Sequence, residues 1–236
     1  MRIDKFLALS GLGSRSEVKK LIKSGSVKKN GISVCTAEEK VNPECDTVTV
    51  SEKEVIYREF VYLMLNKPKG LVSATEDKKL PTVLDLLPPE YAHFKPFPIG
   101  RLDIDTEGLL ILTNDGALSH RLLSPRHHIP KTYFAEIDGF VTEADKKAFA
   151  CGITLDAGYK TKPAALKILC SGEKSEIELT ITEGKFHQVK RMFKAIGKSV
   201  IYLKRIKMNG LSLDKNLKLG EIKELSFAEL CLLKGE

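Results

Sequence analysis

Cysteine is scarce in this 236-residue chain, and the five present (Cys35, Cys45, Cys151, Cys170 and Cys231) are scattered, odd in number and form no C-x-x-C pair. That excludes a disulfide framework and a cysteine-based zinc site, and it points to reduced thiols in the cytoplasm. No stretch approaches the roughly 18 consecutive apolar residues that a bilayer-spanning helix needs, so no membrane partner is expected. The opening MRIDKFLALSGLG is too short, and too interrupted by Asp4 and Lys5, to read as a secretory signal. Neither the phosphate-loop pattern nor the dinucleotide-binding glycine pattern occurs, which leaves nucleotide cofactors unsupported. Histidine offers no metal site either. His127 and His128 are adjacent and so face different ways, and His187 has no carboxylate or cysteine at ligand spacing. There is no repeat and no low-complexity tract.

Positive charge is present, and it is concentrated. The chain carries a formal +7, yet residues 1–30 alone are +6 and residues 183–208 are +7, which leaves the remainder at −6. Two basic segments on an otherwise acidic chain form an electrostatic footprint suited to phosphates. In the first segment the cations are Arg2, Lys5, Arg15, Lys19, Lys20, Lys23, Lys28 and Lys29.

The first segment also has a readable fold. RIDKFLALS places Ile3, Phe6, Leu7 and Ser10 at helical spacing, and Gly11 to Gly13 stop that helix. Ser14 followed three residues later by Glu17 predicts a capping box at the start of a second helix. Its buried stripe is Val18, Leu21 and Ile22, while Arg15, Lys19 and Lys23 recur every fourth residue on one exposed face. Asn30-Gly31 between short β-prone runs predicts a tight hairpin, and DTVTV at 46–50 a further strand. Residues 51–58 read as a linker.

Downstream, FVYLMLNK reads as a strand ending in a Lys67-Pro68-Lys69-Gly70 turn, and PTVLDLLP as a short helix between prolines. GRLDIDTEG is too rich in glycine and aspartate for a helix interior. It precedes a buried strand, LLILT, then a turn at Asn114-Asp115-Gly116 and a helix, ALSHRLL. Asp105, in Asp-Thr-x-Gly, is explained as a turn residue bonding backbone N–H groups. Asp103 sits between Leu102 and Ile104. A half-buried carboxylate there needs a partner or a role.

The first 50 residues resemble the small RNA-binding domain of the S-four type. The rest resembles the RNA pseudouridine synthases that modify single ribosomal RNA sites. GRLDIDTEGLLILTNDG, NKPKG, PTVLDLLP, SPRHHIPKTYFAEIDG and TEGKFHQVKRMF stand in that family's order over essentially the whole chain. HHIPKTY combined with HQVKRMF is most similar to the branch acting on small-subunit (16S) ribosomal RNA. The alternatives are the same reaction on large-subunit (23S) RNA, or a non-catalytic RNA-binding assembly factor.

The resemblance implies an α+β protein. A small α+β RNA-binding domain (1–50) and a linker (51–58) precede a catalytic domain (59–236) with a mixed, mostly antiparallel sheet and flanking helices. It implies conversion of uridine to pseudouridine without cofactor or metal. The implied partner is ribosomal RNA, free or in a partly assembled small subunit, with the protein a monomer. Asp103 matches the family's essential aspartate, ionised either to attack as a nucleophile or to remove a ribose proton. Lys190 matches the basic residue that pairs with it, and Tyr133 the tyrosine lying against the target uracil. Arg101 is placed to fill the gap left by the displaced base, Leu203 to wall the uracil pocket, and Arg191 to contact phosphate.

Overall fold

The computed structural model describes residues 1–156 and 158–236, and the chain divides into two units, Met1–Val61 with Pro88–Pro96, and Tyr62–Leu87 with Phe97–Glu236. In the first unit, helices α1 (Ile3–Leu9) and α2 (Arg15–Lys23) accompany strands β1 (Val27–Lys29), β2 (Ile32–Ser33), β3 (Val48–Val50) and β4 (Lys53–Glu54), in sheet order β2-β1-β3-β4. The apolar stripes form one core: Ile3, Phe6 and Leu7 from α1 join Val18 and Ile22 from α2 and Val27 and Val48 from the sheet. The capping box is present. Glu17 accepts a hydrogen bond from the Ser14 N–H at 2.7 Å, and Ser14 Oγ accepts one from the Glu17 N–H at 3.3 Å. Asn30 and Gly31 turn the β1–β2 hairpin with φ of 50° and 81°, the left-handed conformation that a two-residue turn requires. Residues 51–58 are not the expected linker. β4 lies within them and pairs with β3, and Val55 and Tyr57 pack against the core of this unit.

The second unit is built on β5 (Tyr62–Lys67), β6 (Phe97–Pro98), β7 (Glu107–Thr113), α3 (Gly116–Leu123), β8 (Lys131–Asp138), α4 (Glu143–Cys151), β9 (Ala165–Cys170), β10 (Lys174–Ile181), α5 (Gln188–Ala195), β11 (Ser199–Met208), β12 (Leu211–Ser212), β13 (Ile222–Glu224) and α6 (Phe227–Lys234). The sheet runs β13-β5-β7-β11-β8-β10-β9, with β6 paired to β7 and β12 to β11. Every pairing is antiparallel except that of β7 with β11. β5 and β7 are buried along almost their whole length because they lie mid-sheet and are covered on both faces. β8 alternates instead, burying Lys131, Tyr133, Ala135 and Ile137 on one face. The expected α+β class, with a mixed and mostly antiparallel sheet, is what the chain adopts. PTVLDLLP supplies a single 3-10 turn, Val83–Leu86, capped at its start by Thr82 and Asp85. Among the described residues no helix is long and apolar enough to cross a membrane.

Gly108 is not the turn glycine that Asp-Thr-x-Gly suggests. It lies inside β7, where the parallel neighbour β11 passes so close that a Cβ would meet the Arg205 carbonyl oxygen at 2.3 Å, with φ at +102°. Both the contact and the backbone conformation exclude a side chain. Gly108→Ala is expected to cost on the order of 3 kcal/mol of unfolding free energy. Urea denaturation measures it, and an unchanged midpoint would show that β7 and β11 separate freely at this point.

Candidate active site

Asp103 lies on the loop that leads into β7, and this loop is tied down from below. The chain places a lysine at the end of the buried strand β5, so the Lys67 amine, wholly shielded from solvent, must find acceptors inside. It donates to the carbonyls of Pro68 (3.0 Å), Asp103 (3.2 Å) and Thr106 (3.0 Å). Burial pushes the Lys67 pKa down to about 8, against the pull of the Asp105, Asp103 and Glu107 carboxylates. Ser73 completes the hold: its hydroxyl donates to the Leu102 carbonyl and accepts from the Leu102 N–H, both at 3.0 Å. The Thr106 N–H closes the turn on the Asp103 carbonyl at 3.0 Å.

With its backbone fixed, the Asp103 carboxylate faces two side chains from the start of α5. His187 Nε2 is 3.5 Å from one oxygen and Lys190 Nζ 3.8 Å from the other. Lys190 is closer to Asp105, at 2.5 and 2.7 Å from its two oxygens. The expected pair is therefore a triad in which one ammonium serves two carboxylates, and Asp105 is a partner of Lys190 as well as a turn residue. Burial works to raise the Asp105 pKa, but the hydrogen bond and charge of Lys190 outweigh it and hold the carboxyl below its ordinary range. His187 caps α5 with a left-handed φ of 48° and stacks on the exposed Phe186 ring, centroids 3.8 Å apart. The loop before it is shaped by Gln188, which accepts from the Lys185 N–H at 2.8 Å and donates to Glu183 at 2.9 Å.

Asp103 also lines a small pocket of about 90 Å³ with Arg101, Tyr133 and Leu203. Thr106 lies in the same wall, and its buried hydroxyl has no hydrogen-bond partner. Tyr133 on β8 and Leu203 on β11 reach it because both strands turn their buried face that way. The pocket opens beside a larger cleft of about 700 Å³ that Arg101, Asp103 and Tyr133 share. The walls suit a flat base with a ribose beside the carboxylate.

Arg101, Asp103, Tyr133, Lys190 and Leu203 thus come together, but Arg191 does not join them. Its guanidinium is held on the Asp156 carboxylate at 2.9 Å and on the Asp156 carbonyl at 3.0 Å, so it is not the free phosphate contact expected. In the N-terminal unit three of the expected RNA-binding cations are likewise engaged: Arg2 by Asp4 and Glu38, Lys28 by Glu52, and Lys29 by Glu39. Lys5, Arg15, Lys19, Lys20 and Lys23 are exposed and form no ion pair among the described residues. Sequence reasoning missed Lys67 and His187. A lysine closing an apolar strand was the available signal for the first; the second has no signal beyond its nearness to Lys190.

A family model described as RNA pseudouridylate synthase matches residues 61–195, and an S4 domain model matches residues 1–48. The chain is similar to an uncharacterized RNA pseudouridine synthase of Bacillus subtilis, 52% identical over 234 residues that cover 99% of this chain and 98% of that protein. It is also similar to ribosomal small subunit pseudouridine synthase A of Escherichia coli, 40% identical over 231 residues and 98% of each chain. A crystal structure of a pseudouridylate synthase superposes with a TM-score of 0.69 at 39% identity, covering 99% of both chains. A carboxylate fixed at the mouth of a base-sized pocket, in a chain matched over its length, places this protein in the RNA pseudouridine synthase family, with an S4 domain at its N-terminal end.

Proposed function

We propose that the protein isomerises a specific uridine of small-subunit (16S) ribosomal RNA to pseudouridine, using Asp103 and no cofactor. The observation that carries this reading is the Asp103 carboxylate, held between Lys190 and His187 and facing the pocket of Tyr133 and Leu203. The reaction breaks the bond from ribose C1′ to uracil N1 and forms one from C1′ to C5. The proton on C5 is lost and N1 gains one, so atoms and electrons balance with no external reagent. Asp103 acts either by attacking C1′ or by taking a ribose proton, and both roles need its ionised form. Lys190 Nζ stands 3.8 Å from one Asp103 oxygen and His187 Nε2 3.5 Å from the other. Tyr133 presents a ring to the uracil and a hydroxyl suited to the C5 proton. Arg101, exposed at the rim, fills the space the uridine leaves when it swings out of its stack.

The small-subunit target rests on the 40% identity to the Escherichia coli enzyme across nearly the whole of both chains. The free cations of α2 (Arg15, Lys19, Lys20 and Lys23) are the S4 contribution to RNA binding. In this reading the protein acts as a monomer on ribosomal RNA in the cytoplasm. Its substrate is the RNA, free or within a partly assembled subunit.

Asp103→Asn is expected to keep the fold and RNA binding but lower single-turnover conversion by at least about 10²–10⁴-fold, since an amide neither attacks nor accepts a proton. Pseudouridine mapping on small- and large-subunit transcripts checks both residue and target. Near-normal conversion by the variant sinks the assignment of Asp103, and product confined to large-subunit RNA sinks that of the target.

Lys190→Met removes the ammonium that stands 2.5 Å from Asp105 and 3.8 Å from Asp103. Losing a cation raises carboxylate pKa values, so the acid limb of the single-turnover pH profile moves to higher pH. Lys190→Arg keeps the charge and the original limb. An unshifted limb in Lys190→Met, with weaker RNA binding, would mark Lys190 as a phosphate contact only.

A further inference from the structure

Two cations in the larger cleft have no counter-ion among the described residues. Lys131 on β8 and Arg205 on β11 are 8% and 2% exposed, and both line the cleft. The Lys131 amine donates to the Ile129 carbonyl at 3.0 Å, and Arg205 Nε to the Leu109 carbonyl at 2.8 Å. Arg205 Nη2 has no partner. The carboxylates along this cleft are already occupied. Asp103 faces His187 and Lys190, and Glu183 accepts from the Tyr159 hydroxyl, the Lys162 N–H and Gln188. Burying one unpaired charge is costly, and two adjacent ones more so. Burial, and then the charge of Arg205, push Lys131 down to about 8, so most of the charge is still present at neutral pH.

The placement of these cations is as informative as their lack of partners. Lys131 and Tyr133 share the buried face of β8, one pleat repeat or about 7 Å apart. Arg205 sits directly opposite Tyr133 in the β8–β11 register, two residues from Leu203 on the same face. The pair therefore lies one short step from the base pocket, on the scale of the distance from a nucleobase to a neighbouring phosphate. A phosphodiester supplies the missing charge and several acceptors at once, and charge-assisted bonds of this kind are the strong ones.

Building on the function proposed above, we propose that Lys131 and Arg205 form a phosphate subsite that takes the RNA phosphodiester next to the uridine whose base lies on Tyr133. The subsite fixes the register of the strand on the enzyme, so that the uridine arriving at Asp103 is the right one.

Lys131 is the residue to test, because Arg205 is also bound into the β7–β11 junction. Binding of a small-subunit ribosomal RNA transcript is measured across a salt series for the wild type, Lys131→Met and Lys131→Arg, each first shown to be folded by its melting transition. Lys131→Met is expected to bind more weakly, with the slope of log affinity against log salt reduced by about 0.7, one single-strand phosphate contact. Lys131→Arg keeps the slope. In parallel, inorganic phosphate is expected to raise the melting temperature of the wild type more than chloride at equal ionic strength, and not that of Lys131→Met. A folded Lys131→Met protein with the wild-type salt slope overturns the subsite. A wild-type protein that neither binds nor converts the transcript overturns the proposed function instead, and the phosphate titration then decides the subsite by itself.

Discussion

The Lys67 ammonium, withdrawn entirely from solvent, gives its hydrogens to the carbonyls of Pro68, Asp103 and Thr106. This bonding fixes the backbone on which the Asp103 carboxylate is mounted, and the rest of the site is arranged around it. Without those acceptors a buried amine would be costly; without the amine, the Pro68 and Thr106 carbonyls would lose this donor. The Ser73 bonds to Leu102 extend the same hold, and Gly108 lets β11 approach closely enough to bring Leu203 beside the pocket. Backbone, pocket wall and carboxylate are thus set before any substrate arrives, which is the condition for electrostatic preorganisation to favour a transition state.

Charge is distributed unequally around that scaffold. Asp103 and Asp105 are carboxylates in a protein of basic clefts, and each stands within reach of Lys190. A polyanion approaching the cleft meets cations first: Arg101 at the rim, with Lys131 and Arg205 deeper in. The local cations serve two ends. They attract phosphate, and Lys190 holds the Asp105 carboxyl below its ordinary range against the pull of burial.

Much of this was legible in the sequence where a local rule governed. The capping box at Ser14 and Glu17, the Asn30-Gly31 hairpin and the strand LLILT all follow from short-range chemistry, and the structure contains each. Asp103 could be singled out because an acidic residue between Leu102 and Ile104 had no local explanation. What escaped were contacts set by the fold. The choice of Lys190 between two aspartates depends on how α5 docks over the loop, and the capture of Arg191 by Asp156 joins residues 35 apart. Lys67 looked like part of a turn because its burial comes from the strands on either side of β5. Lys131 carried a faint signal, its shared phase with Tyr133 in an alternating strand, that becomes meaningful only once the sheet shows which face is covered. Residues 51–58 lack any strong pattern, and β4 exists because β3 offers it an edge.

The central claim, that Lys67 fixes the Asp103 loop, is tested most directly by amide hydrogen exchange in a folded Lys67→Met protein. The account predicts faster exchange at the Leu102 and Thr106 N–H groups, which now bond Ser73 and Asp103, with the interior amides of β8 unchanged and single-turnover conversion reduced. Wild-type exchange at Leu102 and Thr106, together with wild-type conversion, would contradict it.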